Sequence, residues 1–170
     1  MAKNGNDRET IRVMFVCLGN ICRSPLAEGV FRKLVREHGL ESRFEIRSSG
    51  TGDWHVGQQA DRRMRATAQK YAVDLSSHCG AQLTYADLER FDHLFVMDKS
   101  NLHDVLFLDR SERFANKVRL FREFDPEPDD FQVPDPYYGG VDGFDHVYAI
   151  VDRTARVLLH RLVEEYQLTA

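Results

Sequence analysis

The stretch IRVMFVCLGNICRSP, residues 11–25, contains the change of structure that predicts the fold. Its first six residues form an apolar run, which is typical of a buried parallel strand. Pro25 suits the first turn of a helix, and apolar residues then recur at helical spacing until Gly39, a helix stop signal. The stretch therefore predicts a strand, a short loop and a helix in direct succession.

The same alternation continues along the chain. Further strand-type runs lie at 44–48, 91–97 and 117–121, and helical patterns lie at 58–71, 101–108 and 144–166. The Pro- and Asp-rich segment 125–140 is predicted to be a loop. Alternating strands and helices predict an α/β fold with a doubly wound, parallel, four-stranded sheet and helices on both faces. In such sheets, ligands bind beyond the carboxyl ends of the strands.

Length and composition limit the classes of function. With 170 residues the chain is predicted to be one domain over 11–170, preceded by a flexible N-terminal extension over 1–10. The formal net charge of -4 gives no indication of a nucleic-acid or membrane partner. An N-terminus without an apolar core and an odd number of cysteines, three, favour a reducing compartment, so we expect a cytoplasmic protein.

The loop after the first strand has the features of an anion site. A strand-loop-helix junction presents backbone N–H groups and the positive end of the helix dipole. Gly19 allows a tight curl, and Arg23 adds a planar set of donors suited to a tetrahedral anion. The same positive surroundings favour the thiolate form of Cys17, which is a nucleophile. The loop is therefore interpreted as a phosphate cradle with its own nucleophile.

Two other interpretations of the loop compete with this one, namely a structural turn and a metal knuckle. Cys17 and Cys22 lie at the upper edge of zinc-ligand spacing, with His78 or Cys79 as further ligands. A zinc site would leave Arg23 without a role, which disfavours it. No metal and no cofactor are expected.

The run from Cys17 to Ser24, CLGNICRS, fits the Cys-x5-Arg-Ser/Thr signature of cysteine phosphatases. Its position near the N-terminus resembles the low-molecular-weight protein tyrosine phosphatase family, and the similarity extends over nearly the whole chain. The resemblance implies a flavodoxin-like fold of the phosphotyrosine phosphatase I type. It also implies that the phosphate is bound by Leu18, Gly19, Asn20, Ile21, Cys22, Arg23 and Ser24.

A second motif, Asp135-Pro-Tyr-Tyr, follows far along the chain. Displacement of a phenolate from phosphorus is helped by a proton donor near the leaving oxygen, and Pro134 and Pro136 restrict where Asp135 points. In the resembling family this Asp is the general acid. The implied mechanism is attack by Cys17 to give a phosphocysteine, then hydrolysis with Asp135 as base. Asp98 matches a buried carboxylate near the loop.

Supporting positions also match the family. Asn20 is expected to adopt a left-handed backbone conformation, which Asn tolerates better than most residues. The resemblance implies that His78 and Ser48 fix this asparagine, although Ser49 is an alternative alignment for the serine. It further implies that Ser24 donates a hydrogen bond to the nucleophilic sulfur.

Aromatic residues are expected to wall the substrate cleft. By resemblance, Trp54 faces Tyr137 across it, with Tyr138 beside them, so that the cleft accepts phosphotyrosine but is too deep for phosphoserine. The resemblance also gives Cys22 a redox-protective role through a reversible disulfide with the nucleophile. The other histidines are expected to be surface or satisfied core groups: His38, His55, His93, His103, His146 and His160.

Two related activities remain as alternatives. Thioredoxin-coupled arsenate reductases share the loop but need two further cysteines, whereas only Cys79 follows Cys22. Protein-arginine phosphatases have threonine where this chain has Ile21, which favours phosphotyrosine. The expected partners are phosphotyrosine proteins or peptides and anions such as phosphate, sulfate and vanadate, and the protein is expected to be a monomer or weak homodimer. The segment 110–117 could alter the cleft rim or mediate association.

Overall fold

The computed structural model describes residues 10–139 and 142–170, and at its centre lies a four-stranded sheet with the order β2-β1-β3-β4, in which every pair of neighbouring strands is parallel. The strands are β1 (Ile11–Cys17), β2 (Phe44–Gly50), β3 (His93–Val96) and β4 (Val118–Leu120). The helices are α1 (Arg23–Glu37), α2 (Arg62–Lys70), α3 (Tyr85–Arg90), α4 (Lys99–Leu108) and α5 (Asp142–Tyr166). The predicted fold class is confirmed.

Strand β1 explains why its sequence is apolar without interruption. Successive side chains of a strand point to opposite faces of the sheet. Val13 and Phe15 enter the core formed with α1, α2 and α5, whereas Met14 and Val16 enter the core formed with α3 and α4. Both faces are covered, so the alternation of polar and apolar residues seen in half-exposed strands is absent here.

The start of α2 differs from the prediction. Its pattern suggested a helix over 58–71, but the helix begins at Arg62, because the Asp61 carboxylate accepts hydrogen bonds from the backbone N–H groups of Arg63 and Met64. The N–H of Asp61 donates to the carbonyl of Ile21 at 2.8 Å. The residues before the helix are thereby held against the loop that follows β1.

Helix α3 was not predicted, although its start carries a sequence signal. Thr84 and Asp87 form a capping box, in which each side chain bonds the other residue's backbone N–H. With only six residues, the helix offers too few turns for a periodic pattern to show. The predicted loop 125–140 likewise contains a short 3₁₀ turn, Pro136–Tyr138.

The topology places the end of β1 at the centre of one sheet edge. Cys17 is in register with Gly50 at the end of β2, and Val16 with Val96 at the end of β3. The loop after β1 therefore lies where the neighbouring strands also end. The proposed extension over 1–10 falls almost wholly outside the described residues, and the domain boundary at 11 stays a prediction. No helix in the described ranges is long and apolar enough to cross a membrane.

Candidate active site

The β1–α1 loop (residues 17–24) is held in place by hydrogen bonds that its carbonyl groups accept from residues outside the loop. The N–H groups of Thr51 and Gly52 donate to the carbonyls of Cys17 and Leu18, respectively, both at 2.9 Å. Nε2 of His78 donates to the carbonyl of Asn20 at 2.7 Å, and the N–H of Asp61 donates to the carbonyl of Ile21 at 2.8 Å. In a trans peptide the N–H points opposite to the carbonyl of the preceding residue. The N–H groups of Leu18, Gly19, Ile21 and Cys22 are therefore directed to the other side, toward a cavity that these residues line.

Close approach of β2 to this loop requires a glycine. A Cβ atom at Gly50 would lie 2.7 Å from the carbonyl oxygen of Leu18, a distance that Cβ atoms do not reach in proteins. Gly50 therefore lets the end of β2 pass directly behind the loop, which brings the donors on its outer side within bonding distance.

Asn20 has the left-handed conformation predicted for it, with φ of 57°, and its side chain is buried. The N–H of Ala81 donates to its Oδ1 at 3.0 Å, which fixes the orientation of the amide. Nδ2 then donates to the hydroxyl oxygens of Ser24 at 2.8 Å and Ser48 at 3.0 Å. The hydroxyl of Ser49 bonds a methionine sulfur instead, so the serine that contacts Asn20 is Ser48.

Cys17 ends β1 with its sulfur held by two groups. The Ser24 hydroxyl lies 3.0 Å from Sγ, and the N–H of Asn20 donates to Sγ at 3.3 Å. Because the Asn20 amide donates to the oxygen of Ser24, the hydroxyl of Ser24 acts as a donor, and its acceptors are the sulfur at 3.0 Å and the more distant Ser49 carbonyl at 3.4 Å. The contacts of Ser24 and Asn20 with the sulfur both stabilise negative charge on Cys17.

Cys22 is the second thiol that lines the cavity, and its surroundings are different. Burial raises the pKa of the Cys22 thiol far above its ordinary value, and the charges of Asp61, Cys17 and Asp135 raise it further. Cys22 therefore stays a thiol. Of the two free cysteines in the loop, Cys17 is the one whose sulfur contacts a hydroxyl and a backbone N–H.

Arg23 begins α1, and its guanidinium is almost completely buried. Nη1 donates to the Asp98 carboxylate at 2.6 Å and to the carbonyl of Val133 at 3.1 Å. Burial lowers the pKa of Arg23, but the Cys17 charge and the hydrogen bond to Asp98 outweigh it and raise the pKa above its ordinary value. Asp98 is partly exposed rather than buried, and it also caps α4.

Asp135 lies beside this guanidinium although it is distant in the sequence. Its Oδ2 is 3.6 Å from Nη2 of Arg23, and its Oδ1 accepts a hydrogen bond from the N–H of Tyr137 at 3.0 Å. The side chain is 35% exposed, in contrast to the 3% of Arg23. The fold therefore brings Cys17, Arg23 and Asp135 to one cavity.

The segment that leads to Asp135 is anchored by a buried ionic network that sequence reasoning missed. The guanidinium of Arg122 bonds the Asp125 carboxylate at 2.8 Å and the carbonyl of Gln132 at 2.7 Å. Arg153 bonds the same carboxylate from α5 at 2.8 Å. The only signal in the sequence was an acidic, Pro-rich run that follows Arg119 and Arg122, a composition that is common in exposed loops.

A third anchor comes from α2. Arg63 donates to the carbonyl of Tyr137 at 3.1 Å, and its guanidinium lies over the Tyr137 ring at 5.4 Å from the centroid. This cation–π contact holds the aromatic residue that follows Asp135. Nothing in the sequence pattern connects Arg63 to that motif.

The cavity has a volume of about 370 Å³, and its rim is aromatic. Trp54 and Tyr137 both line it, as does His55, whose ring lies 6.4 Å from that of Tyr137. His55 was expected to be a surface or satisfied core histidine, and its Nδ1 does contact Gln58 at 2.8 Å, but its place in the cavity wall was not predicted. The side chain of Tyr138 lies outside the described part of the chain, and its place in the wall stays a prediction.

The part of the chain that the structure describes contains no group of three or more His, Cys, Asp or Glu residues placed to hold a metal ion. Cys79, considered as a zinc ligand, is exposed and free. Its neighbour His78 bonds the loop backbone instead.

Comparison with known proteins agrees with this geometry. The model of the family described as low molecular weight phosphotyrosine protein phosphatase matches residues 12–168. The chain belongs to this family of enzymes. A low molecular weight protein-tyrosine-phosphatase of Streptomyces coelicolor is 42% identical over 160 residues, which cover 93% of this chain and 97% of that protein. The low molecular weight phosphotyrosine protein phosphatase of Schizosaccharomyces pombe is 45% identical over 82% of this chain and 89% of its own length.

A solved structure is also similar over the whole fold. The protein tyrosine phosphatase from Entamoeba histolytica, with Hepes in the active site, superposes with a TM-score of 0.87 at 36% identity. The match covers 94% of this chain and 100% of that one. The family and the α/β fold are therefore established for this chain.

Proposed function

We propose that this phosphatase hydrolyses phosphotyrosine in proteins through a phosphocysteine on Cys17. The observation that carries the proposal is the convergence of three groups on one cavity: the Cys17 sulfur, the buried Arg23 guanidinium and the Asp135 carboxyl. A nucleophile, a fixed positive charge and a proton donor are the three functions that transfer of a phosphoryl group from a phenol requires.

In the first step the Cys17 thiolate attacks phosphorus, and the bond from phosphorus to the tyrosine oxygen breaks. Asp135, which must carry a proton for this role, gives it to the departing oxygen. The N–H groups of the β1–α1 loop and Arg23 bind the other phosphoryl oxygens, where charge is concentrated in the transition state. The two hydrogen bonds that Arg23 makes within the described residues leave from Nη1, and Nη2 lies 3.6 Å from the Asp135 carboxylate. Nε and Nη2 would provide the bidentate contact to the phosphoryl group.

In the second step water attacks the phosphorus of phosphocysteine. The Asp135 carboxylate takes a proton from this water, the sulfur–phosphorus bond breaks and inorganic phosphate forms. The Ser24 hydroxyl, 3.0 Å from Sγ, stabilises the thiolate as it leaves. The cycle returns a protonated Asp135 and a thiolate on Cys17.

The cavity walls support phosphotyrosine as the substrate. Trp54, His55 and Tyr137 provide aromatic surface for a phenyl ring, and Ile21 adds an apolar side chain near the loop. A protein-arginine phosphatase is the second candidate, disfavoured by Ile21, whose branched apolar chain offers no hydroxyl to activate water. An arsenate reductase is disfavoured because only Cys79 remains as a further thiol, and it lies on the surface.

Related properties belong to the same proposal. Phosphate, sulfate and vanadate should compete with substrate, since each presents oxygens to the same donors. The Entamoeba histolytica enzyme holds Hepes, whose sulfonate is such a group, in its active site. A reversible disulfide between Cys17 and Cys22 would protect the nucleophile, and Cys22 lies in the same loop as a free thiol.

Phosphate release from three peptides tests the proposal. The peptides carry phosphotyrosine, phosphoserine or phosphoarginine, and the assay contains EDTA and fresh reductant. We expect release from phosphotyrosine alone, its loss in Cys17→Ser and a fall of about 10²-fold or more in Asp135→Ala. Activity on phosphoarginine alone would make the second candidate correct, and equal activity in Cys17→Ser would exclude a cysteine nucleophile.

A further inference from the structure

A second depression lies next to the catalytic cavity. It has a volume of about 380 Å³ and shares Leu18 and Trp54 with the catalytic cavity. We call it the flank groove, and its principal lining residues are Leu18, Trp54, Leu83, Phe107, Leu108 and Arg110. The mechanism proposed above makes no use of it beyond the two shared residues.

The flank groove gathers large apolar side chains that are exposed. Phe107 is 73% exposed, Trp54 is 66% exposed and Leu18 is 39% exposed. Single exposed apolar residues are ordinary, but several around one concave surface mark a site of interaction. Asp104 and Arg110 add charges of opposite sign to the lining, so apolar and charged groups occur together as they do in protein interfaces.

The shape of the groove is determined by the backbone beneath it. A Cβ atom at Gly52 would overlap the ring of Trp54, so the indole lies directly against the peptide backbone there. At the other end, the Asp109 carboxylate accepts hydrogen bonds from the Ser111 hydroxyl at 2.9 Å and the N–H of Phe114 at 2.8 Å. These bonds order the start of the segment 110–117, whose first residue, Arg110, lines the groove.

We propose that the flank groove binds the substrate polypeptide beside the phosphotyrosine and accepts a large apolar side chain two residues away from it. This inference rests on the proposed function, since it takes the substrate to be a protein. A phosphotyrosine ring in the catalytic cavity places its own backbone at the rim, where Trp54 lines both depressions. In an extended chain, residues two positions apart point to the same side and lie about 6.6 Å apart, so one side chain enters the cavity and the other the groove.

The test compares peptide substrates with p-nitrophenyl phosphate, which has no flanking chain. The peptides carry phosphotyrosine with Leu two positions before it, Leu two positions after it, or Ala at both places. The variant is Phe107→Ala. Its matched control is Phe131→Ala, which removes another exposed phenyl ring, outside the groove. The oligomeric state of each protein is measured by light scattering.

We expect the wild type to prefer one Leu peptide over the Ala peptide by about five- to tenfold in kcat/KM, as burial of part of a leucine predicts. Phe107→Ala should remove this preference while its activity on p-nitrophenyl phosphate stays within about twofold, which also shows that it is folded. Phe131→Ala should keep the preference. Whether the preferred Leu precedes or follows the phosphotyrosine gives the direction in which the substrate peptide is bound.

Three results would overturn the inference, and they are distinguishable from failure of the proposed function. Equal activity on all peptides in the wild type excludes the groove as a subsite, as does a preference that persists in Phe107→Ala. If the wild type is a dimer and Phe107→Ala is a monomer with the same peptide preference, a second copy of the chain occupies the groove. In each case, hydrolysis of p-nitrophenyl phosphate that is lost in Cys17→Ser leaves the proposed function standing.

Discussion

Two segments of the candidate site are held in different ways. In the β1–α1 loop, four carbonyls accept hydrogen bonds from outside the loop, the Asn20 side chain makes three hydrogen bonds and Arg23 is 3% exposed. In the Asp135 segment (residues 134–138), the Asp135 side chain is 35% exposed and accepts one backbone hydrogen bond, from Tyr137. One segment is fixed throughout, and the other is fixed only where it enters and leaves.

This difference matches the two tasks. Stabilisation of charge on phosphoryl oxygens depends on donors that are in place before the reaction, since reorientation during the reaction would cost free energy. A proton donor that later acts as a base must instead reach two different oxygens, those of the leaving group and of water. The β1–α1 loop is therefore built for rigidity and the Asp135 segment for access, and the predictions below test that distinction.

The largest effect should come from the rigid part. In Arg23→Lys a single ammonium replaces the planar guanidinium, so the bidentate contact and the bond to Val133 cannot both form. We expect kcat/KM on a phosphotyrosine peptide to fall about 10³-fold. Asp98→Asn, which keeps an acceptor for the guanidinium, should lose far less. A tenfold loss or smaller in Arg23→Lys would mean that the backbone N–H groups suffice to bind the phosphate.

The next effect concerns the Asp135 segment. Asp135→Asn preserves shape but cannot give a proton, so we expect about a 10²-fold lower kcat/KM on phenyl phosphate, the quantity that reports the first step. The loss should shrink to a few-fold on dinitrophenyl phosphate, because that leaving group departs readily as an anion. Pre-steady-state and steady-state rates on both esters measure this contrast. Equal losses on the two would indicate that Asp135 acts through structure rather than proton transfer.

The same distinction separates what the sequence could predict from what it could not. The sheet, the β1–α1 loop and Asn20 were predictable, because they depend on a local pattern of apolar residues and a short contiguous motif. The start of α2 at Arg62 was also open to prediction, because Asp61 is a local N-cap residue. The bond from the Asp61 N–H to the Ile21 carbonyl was not, because it joins residues far apart in sequence.

The site shows the same division. Placement of Cys17 and Arg23 follows from residues next to each other, whereas the supports of Asp135 come from distant elements. Arg63 from α2 reaches Tyr137, and Arg122 is buried in an ionic network. His55 lines the cavity because its loop folds back over Gly19. A Cβ atom added at Gly19 would lie 3.1 Å from the imidazole ring of His55. No spacing in the sequence signals these contacts.

Acid should weaken the anchor of the Asp135 segment. Burial raises the pKa of Asp125, but hydrogen bonds from Arg153 and Arg122 outweigh it and lower the pKa from 3.8 to about 2. A pKa that is lower in the folded state gives stability above the unfolded value, which is lost as pH falls through the folded value. We expect this carboxylate to account for about 2 kcal/mol of unfolding free energy lost between pH 5 and pH 2.

Urea unfolding of the wild type and Arg153→Met at a series of pH values measures this contribution. Arg153 is partly exposed, so its loss should leave a folded protein in which Arg122 alone pairs with Asp125. The pH dependence of Arg153→Met should then be clearly shallower than that of the wild type. Parallel curves would mean that other carboxylates cause the acid sensitivity.

The smallest effect should come from removing one of the several bonds that hold the β1–α1 loop. Nε2 of His78 donates to the Asn20 carbonyl at 2.7 Å, and a single hydrogen bond of this kind contributes about 1 kcal/mol. We expect His78→Phe to lower kcat about fivefold with KM little changed, and His78→Gln, which keeps a donor, to recover most of the loss. A fall near that of Arg23→Lys would show that the loop depends on this one bond, and the redundancy inferred from its four bonded carbonyls would be wrong.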